Sequence, residues 1–342
     1  MIPREMGTPA LRTLGATGLQ ISEIGCGCSS LGGVLDREGE AEALRTLQMA
    51  IDHGINFFDT ADAYSMGRSE VLLGQAMRAC RDRVVIATKG GSRFTPAWKT
   101  VIDSRSLLVP IRKVLRPFKR YFNLVRHTQK QYDYSPAHLR NALETSLQRL
   151  GTDYIDLYQL YNPTPPQLGE GSFIEALEAF KQEGKIRHYG ISCRNAADAL
   201  LCLRYPGVST VQISVSLVDQ EALGAVLDKV VASKVGIIAR EPLAQGFLTA
   251  NTGRTLAEES ARRRAEIRAR GRRARQFEFL VRPGRSLAQA ALQFVLQVPG
   301  VSTVIPGMIT PAQLDENLGS LTAPRLSVEE LRHIAEQAHG SA

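Results

Sequence analysis

The stretch Ile55–Gly90, INFFDTADAYSMGRSEVLLGQAMRACRDRVVIATKG, decides the architecture. It holds an apolar, aromatic run (Ile55–Asp59), a polar loop, a segment of helical period (Ser69–Ala79) and a β-branched run (Val84–Thr88). Strand, helix, strand is the repeating unit of a parallel sheet, since parallel neighbours need a crossover long enough to bring the chain back to its starting edge. Both strands end in polar residues, Asp59-Thr60-Ala61-Asp62-Ala63-Tyr64 and Thr88-Lys89-Gly90-Gly91.

The alternation continues in both directions. Further strands are expected at Glu23–Cys28, Tyr154–Tyr161, Ile186–Ser192, Thr210–Ile213, Gly236–Ala239 and Thr303–Ile305. Helices are expected near Gly39–His53, Pro136–Leu150, Ser172–Glu183, Asn195–Arg204, Glu221–Ser233, Arg285–Gln297 and Pro311–Ser320. Ser135 before Pro136 reads as an N-cap with proline at the first helical position, and Gly54, Gly151 and Gly184 stand where helices should end. Eight β/α units in 342 residues favour a closed (β/α)8 TIM barrel, read as a single domain over 1–342 with insertions at about 92–134 and 251–285. Periodicity alone leaves an open doubly wound sheet as the alternative. Against it, no G-x-G-x-x-G follows a strand, and GCGCSSLGG (25–33) has the wrong spacing.

Composition is that of an ordinary globular chain: 44% apolar and 22% charged, with no apolar run long enough to cross a bilayer. The N-terminus has no apolar stretch ahead of a cleavage site, so the cytoplasm is the expected location. Five cysteines (Cys26, Cys28, Cys80, Cys193, Cys202) form no metal-ligand set with histidines and read as reduced, buried side chains. The net charge of +8 is unevenly spread: 92–134 holds ten Lys/Arg against two Asp/Glu, and 251–285 eleven Arg against four Glu. Solvated helical surface insertions and functional loops both fit such runs.

In a barrel the chemistry sits at the C-terminal ends of the strands. There Asp59, Tyr64 and Lys89 would converge. A tyrosine donates protons, and a nearby ammonium favours the phenolate, so Lys89 is expected to lower the Tyr64 pKa while Asp59 holds the lysine. A structural Asp-Lys pair with Tyr64 as a packing residue fits the spacing equally.

FDTADAYSMGRSE (58–70), ATKG (87–90), DYIDLYQL (153–160), GIS (190–192), Gln212 in VQIS, PLAQG (242–246), and VIPG (304–307) with Glu316-Asn317 resemble the aldo-keto reductase superfamily, in the family's order, over roughly residues 11–335. The resemblance implies a tetrad of Asp, Tyr, Lys and His in which the tyrosine protonates a carbonyl oxygen as hydride arrives from a nicotinamide. Asp59, Tyr64 and Lys89 fill three places, and Tyr161 stands at the histidine position. Adjacent strand residues point to opposite faces, so Asn162 is not expected to replace it. A tyrosine hydroxyl can still stabilise an oxyanion, which keeps NAD(P)(H)-dependent carbonyl/alcohol redox on an aldehyde, ketone or sugar first. The alternatives are an altered reaction such as C=C reduction, or a nicotinamide-binding accessory protein with weak turnover.

By the same resemblance, Ser192 and Gln212 hold the carboxamide, with Cys193 where Asn is common, and Arg240 takes the place of the stacking aromatic unless it merely pairs with Glu241. Pro242, Leu243 and Gly246 approach the pyrophosphate, Asn317 the adenine, and Gly27 the nicotinamide end; Pro306, Gly307, Gln313 and Glu316 complete the cofactor set. NADP(H) is the family default and is placed slightly ahead of NAD(H), although 306–313 contains no Lys or Arg for a 2′-phosphate. Both basic insertions follow strands, the third and the seventh, and should emerge on the catalytic face. Leu107–Arg126 is read first as a lid, then as an oligomer contact, then as a membrane-surface element. The expected partner is a small carbonyl or alcohol substrate, anionic if the basic loops act on it; no nucleic-acid module is recognised.

Overall fold

The computed structural model describes residues 7–32, 37–94, 130–250 and 261–339. Leu107–Arg126 lies outside them. Twelve strands are numbered in chain order. A hairpin, β1 (Leu11–Thr13) with β2 (Gln20–Ser22), precedes β3 (Cys26–Gly27), β4 (Phe57–Asp59) and β5 (Val85–Gly90). A second hairpin, β6 (Ser92–Phe94) with β7 (Lys130–Tyr132), follows. The remaining strands are β8 (Ile155–Tyr161), β9 (Ile186–Ser192), β10 (Val208–Ser214), β11 (Gly236–Arg240) and β12 (Val301–Ile305).

One eight-stranded parallel sheet runs β12-β11-β10-β9-β8-β5-β4-β3. Parallel bridges Ile24↔Val304 and Gly27↔Gly307 join its two ends, which makes the sheet the (β/α)8 barrel expected from the sequence. Closure there depends on Gly27: a Cβ at this position would lie 2.7 Å from the Ile305 carbonyl oxygen. The Cβ-facing side of Gly27 is thus occupied by the chain's own β12.

Side-chain alternation explains the two layers of core. Phe57, Val85, Ala87, Leu157, Ile238 and Ile305 form one buried cluster with Leu14 and Ile21 of the first hairpin, filling the barrel interior. Their neighbours Phe58, Ile86, Tyr158, Ile237 and Val304 belong to a second, larger cluster under the outer helices. Continuing the inward parity by two residues, and by four for Tyr161, places Asp59, Lys89, Gln159, Tyr161 and Arg240 inside the open end of the barrel. Pairing of Lys89 with Gln159, Tyr161 with Ser192 and Gln212 with Ser192 brings these side chains level.

The helix over Pro136–Leu150 has the expected ends: the Ser135 side chain accepts from the His138 amide, and Gly151 closes it at φ +65°. Gly54 and Gly184 also take positive φ, +88° and +73°. The hairpin β6–β7 follows the third barrel strand and is formed by the two ends of the first basic insertion. The second follows β11 and includes a helix, Ala261–Arg275, with Ile267 and Ala274 buried beneath it while Arg268, Arg272 and Arg275 face solvent. Arg285 departs from this pattern. It is buried, with Nη1 donating to the carbonyls of Pro324 (3.1 Å) and Arg325 (2.9 Å) and Nη2 paired with Glu330 at 2.5 Å. This charge ties the chain to the C-terminal helix, Val328–His339, which the sequence pattern missed. All five cysteines are free thiols, and no described helix is long and apolar enough to cross a membrane.

Candidate active site

Asp59 closes β4, and the hydrogen bonding of that strand persists one step further: the Thr60 amide donates to the Ala87 carbonyl at 2.8 Å and that of Asp62 to Lys89 at 3.0 Å. The chain then folds back. Ser65 and Met66 take φ of +49° and +58°, and Gly67 takes +83°. Gly67 cannot be exchanged cheaply, since a Cβ there would sit 2.3 Å from the Arg149 guanidinium carbon. Arg149 is held in place by the fully buried Glu70 at 3.1 Å, whose other oxygen accepts from Thr88 at 2.8 Å. Ser69 bonds the Cys28 carbonyl at 2.9 Å and lies 2.8 Å from the Thr60 hydroxyl. The motif residues Gly67, Ser69 and Glu70 therefore hold the turn that presents Tyr64.

Asp59, Lys89 and Tyr64 meet as expected. Lys89 Nζ lies 2.5 Å from Asp59 Oδ2, 2.9 Å from the Thr60 carbonyl and 3.4 Å from the Tyr64 hydroxyl. The ion pair is almost entirely buried, with 1% and 2% of its side chains exposed. Such a pair persists only when its remaining lone pairs are filled. Asp59 Oδ1 meets this condition by accepting from Gln159 at 3.1 Å and Gln212 at 2.7 Å.

Burial first, and then the Asp59 carboxylate, push the Tyr64 phenol well above its ordinary value, while Arg240 and a hydrogen bond from Tyr161 pull it down by less. The sequence expectation of a Tyr64 pKa lowered by Lys89 is therefore corrected. The lysine charge is neutralised by Asp59, and loss of solvent outweighs it. Tyr64 is thereby held as a phenol, ready to give a proton rather than to take one.

Tyr161 takes the inward position inferred for it. Its ring meets that of Tyr64 edge to face at 6.2 Å and stacks on Tyr132 at 6.3 Å. Its carbonyl accepts from the Tyr134 hydroxyl at 2.7 Å. Burial, and then Tyr64, also raise its phenol. Tyr132 and Tyr134 come from β7 and the residues just after it, and sequence reasoning missed them because the hairpin lies within what read as an undivided basic insertion.

Ser192 Oγ and Gln212 Oε1 meet at 3.4 Å. Cys193 does not join them. Its thiol points to Cys202, 3.7 Å away among buried apolar side chains, and its carbonyl accepts from Arg240 at 3.0 Å. Arg240 also pairs with Glu241 at 3.3 Å, so the ion pair held as the alternative is formed, alongside this second contact. Pro242 is buried and Leu243 packs on the core, while a Cβ on Gly246 would meet nothing within 4 Å. Gly307 lies beside Gly27, and Asn317 donates to its carbonyl at 3.4 Å. Gln313 accepts from the Ile309 amide at 2.8 Å, Glu316 accepts from Ser286, and Pro306 is buried. These residues cluster where β12 meets the helix Pro311–Leu318.

A family model described as the aldo/keto reductase family matches residues 23–338. The chain belongs to the aldo-keto reductase family. It is an NAD(P)-dependent oxidoreductase with relatives of similar length. The uncharacterized oxidoreductase YqkF of Bacillus subtilis is 33% identical over 96% of this chain and 95% of that one. The holo form of aldo-keto reductase AKR11C1 from Bacillus halodurans is 30% identical, with a TM-score of 0.74 over 96% of both chains. An aldo/keto reductase from Klebsiella pneumoniae, solved in complex with NADP and acetate, is 25% identical, with a TM-score of 0.66 over 96% of this chain and 95% of that one.

This aldo-keto reductase also has a groove of about 540 Å³ between the basic helix and the loops after β10 and β11, lined by Asp219, Gln245, Phe247, Glu266, Arg270 and Arg273 among others. None of its lining residues belongs to the tyrosine and lysine cluster. The groove is connected to the rim through Arg270, which lies 3.9 Å from Glu241.

Proposed function

We propose that the protein moves a hydride between a nicotinamide dinucleotide and a carbonyl or alcohol substrate, an aldehyde, ketone or sugar, with Tyr64 as the acid/base. The observation that carries this reading is the pair of phenols, Tyr64 and Tyr161, hydrogen-bonded at the open end of the barrel with the buried Lys89–Asp59 pair behind them. The dinucleotide, when bound, supplies or accepts the hydride. Tyr64 gives its proton to the carbonyl oxygen. Tyr161 donates a second hydrogen bond to the charge that grows there, and the enclosed site strengthens both interactions.

The donor set fits such a cofactor. Ser192 and Gln212 offer a hydroxyl and an amide suited to a carboxamide, and the open space at Gly246 lets backbone come close to a pyrophosphate or adenosine. Arg240, with its Nε buried and unpartnered among the described residues, stands next to this set. NADP(H) is placed slightly ahead of NAD(H). The lack of Lys and Arg in 306–313 leaves the 2′-phosphate dependent on arginines from elsewhere in the chain. Exposed arginines on the helix Ala261–Arg275 favour an anionic substrate, and the cytoplasm is the proposed location.

Titration with NADPH and NADH, followed by a screen of aldehydes, ketones and sugars with the tighter binder, tests the proposal. Carbonyl-dependent oxidation of the reduced cofactor that is lost in Tyr64→Phe supports it. Tight cofactor binding without carbonyl turnover would instead leave the accessory role.

A further inference from the structure

Asn162 follows the last residue of β8 and escapes the strand's alternation. Its φ is +55°, a left-handed conformation that asparagine tolerates better than most residues. The amide of Asn162 still donates to the Ser192 carbonyl at 2.9 Å, so the backbone stays attached to β9 while the side chain turns inward. There Oδ1 accepts from Ser192 Oγ at 3.2 Å. Its Nδ2 has no partner among the described residues.

Three side chains thus meet at one point, and their chemistry is complementary to a primary amide. Gln212 spends its NH2 on Asp59 Oδ1 at 2.7 Å, which fixes the flip of the group and turns Oε1 toward Ser192 as an acceptor. The one Ser192 proton goes to Asn162 Oδ1, which leaves Asn162 Nδ2 as the donor. A primary carboxamide needs donors for its oxygen and an acceptor for its nitrogen. Cys193 supplies neither, because its thiol is turned toward Cys202.

We propose that Asn162 is the third side chain of a carboxamide clamp: its Nδ2 donates to the carboxamide oxygen of the nicotinamide, the Ser192 hydroxyl fixes its flip by donating to Oδ1, and Gln212 Oε1 accepts from the carboxamide nitrogen. The inference rests on the nicotinamide reading above. It makes Asn162 a positioning residue, which orients the ring through its substituent. The left-handed backbone, which costs free energy at a non-glycine position, is held by the pairing to β9 and delivers the amide to that spot.

The test compares each dinucleotide with the same molecule lacking the nicotinamide. Dissociation constants of NADPH and NADH, and of 2′-phospho-ADP-ribose and ADP-ribose, are measured calorimetrically for the wild type, Asn162→Gly and Asn162→Asp. Glycine accepts the left-handed backbone, so that variant keeps the turn. The clamp predicts that Asn162→Gly weakens the preferred dinucleotide about tenfold and leaves its ADP-ribose counterpart within about twofold. Asn162→Asp should weaken the dinucleotide further, because a carboxylate faces the carboxamide oxygen. An equal loss for both ligands, or no loss for either, overturns the clamp and leaves Asn162 a structural turn residue. A wild-type protein that binds neither NADPH nor NADH overturns the nicotinamide reading itself, and the clamp with it.

Discussion

Replacing Tyr161 by Phe removes one hydroxyl and little else. The ring remains stacked on Tyr132 at 6.3 Å and edge-on to Tyr64 at 6.2 Å, and the Tyr134 bond goes to the Tyr161 carbonyl, which the substitution keeps. What disappears is the hydrogen bond to Tyr64, worth about 1 kcal/mol to the fold at most. That bond lowers the Tyr64 pKa, so its loss raises further a value already well above 10 and leaves Tyr64 fully protonated. A fall in reduction rate therefore cannot come from a missing proton. It measures the lost donor to the developing oxyanion, on the order of 10²-fold in kcat, or about 3 kcal/mol. Steady-state kcat for one well-reduced aldehyde at saturating cofactor, with thermal unfolding as the control for folding, makes the comparison. Tyr161→His, the residue that the family resemblance implies at this position, should retain or improve the rate. A Phe variant within about twofold of wild type, equally folded, would refute the oxyanion role and leave Tyr161 as an apolar wall of the substrate pocket.

Four further outcomes follow from the same geometry. Lys89→Met leaves the Asp59 carboxylate buried without its cation, so it should lower stability by about 3–5 kcal/mol as well as stop turnover; adding Asp59→Asn should restore much of the stability but no activity, as read by denaturant melts and kcat. Tyr64 is raised and stays protonated through neutral pH, so kcat for reduction should be free of any alkaline loss from this group between about pH 6 and 9, whereas alcohol oxidation should keep rising toward pH 10. Tyr64, Tyr134, Tyr158, Tyr161 and Tyr189 are all raised in the folded state; the unfolded chain ionises first, so the stability they contribute is complete below about pH 10 and lost above it, where phenolate absorbance at 295 nm should appear together with unfolding. If the exposed arginines of Ala261–Arg275 steer an anionic substrate, its kcat/KM should fall as salt rises from about 0.01 to 0.15 M while that of a neutral substrate holds; equal behaviour would mark the helix as solvated surface.

The barrel was readable because each unit repeats two physical periods, and the expected strand Ile186–Ser192 and helix Pro136–Leu150 coincide with the observed ones. The convergence of Asp59 and Lys89 on one rim is readable for the same reason, whereas Tyr161 is placed by the family resemblance. What escaped was of a different kind. The hairpins β1–β2 and β6–β7 have strands of three residues, too short for any period to register. Arg285 ends a basic segment of the sequence, where charge is visible and burial is not; only the fold reveals the carbonyls and Glu330 around it. The alternation rule turns Asn162 away from the site, but it holds only while the chain stays extended, and a φ of +55° ends that condition. The Tyr64 pKa went the wrong way because the lysine was visible as a charge while its neutralisation by Asp59 and the enclosure of the phenol were not.

Asp59 is the point at which these observations join. One of its oxygens balances Lys89, and the other receives Gln159 and Gln212, so the carboxylate that steadies the proton-donating side also sets which way the Gln212 amide faces. A change at Asp59 should therefore be felt twice. Losing the negative charge frees Lys89 to act on Tyr64, and loosening the Gln212 flip disturbs the acceptor presented beside Ser192. Ser192 extends the network to Asn162, one residue beyond Tyr161, so the donor proposed for the carboxamide and the donor proposed for the oxyanion are consecutive residues of one chain segment. Relative placement of the reacting groups is then set by a single strand end and its pairing to β9, rather than by two independently positioned loops. Errors of about 1 Å in such placement cost rate steeply, and a rigid shared support keeps them small.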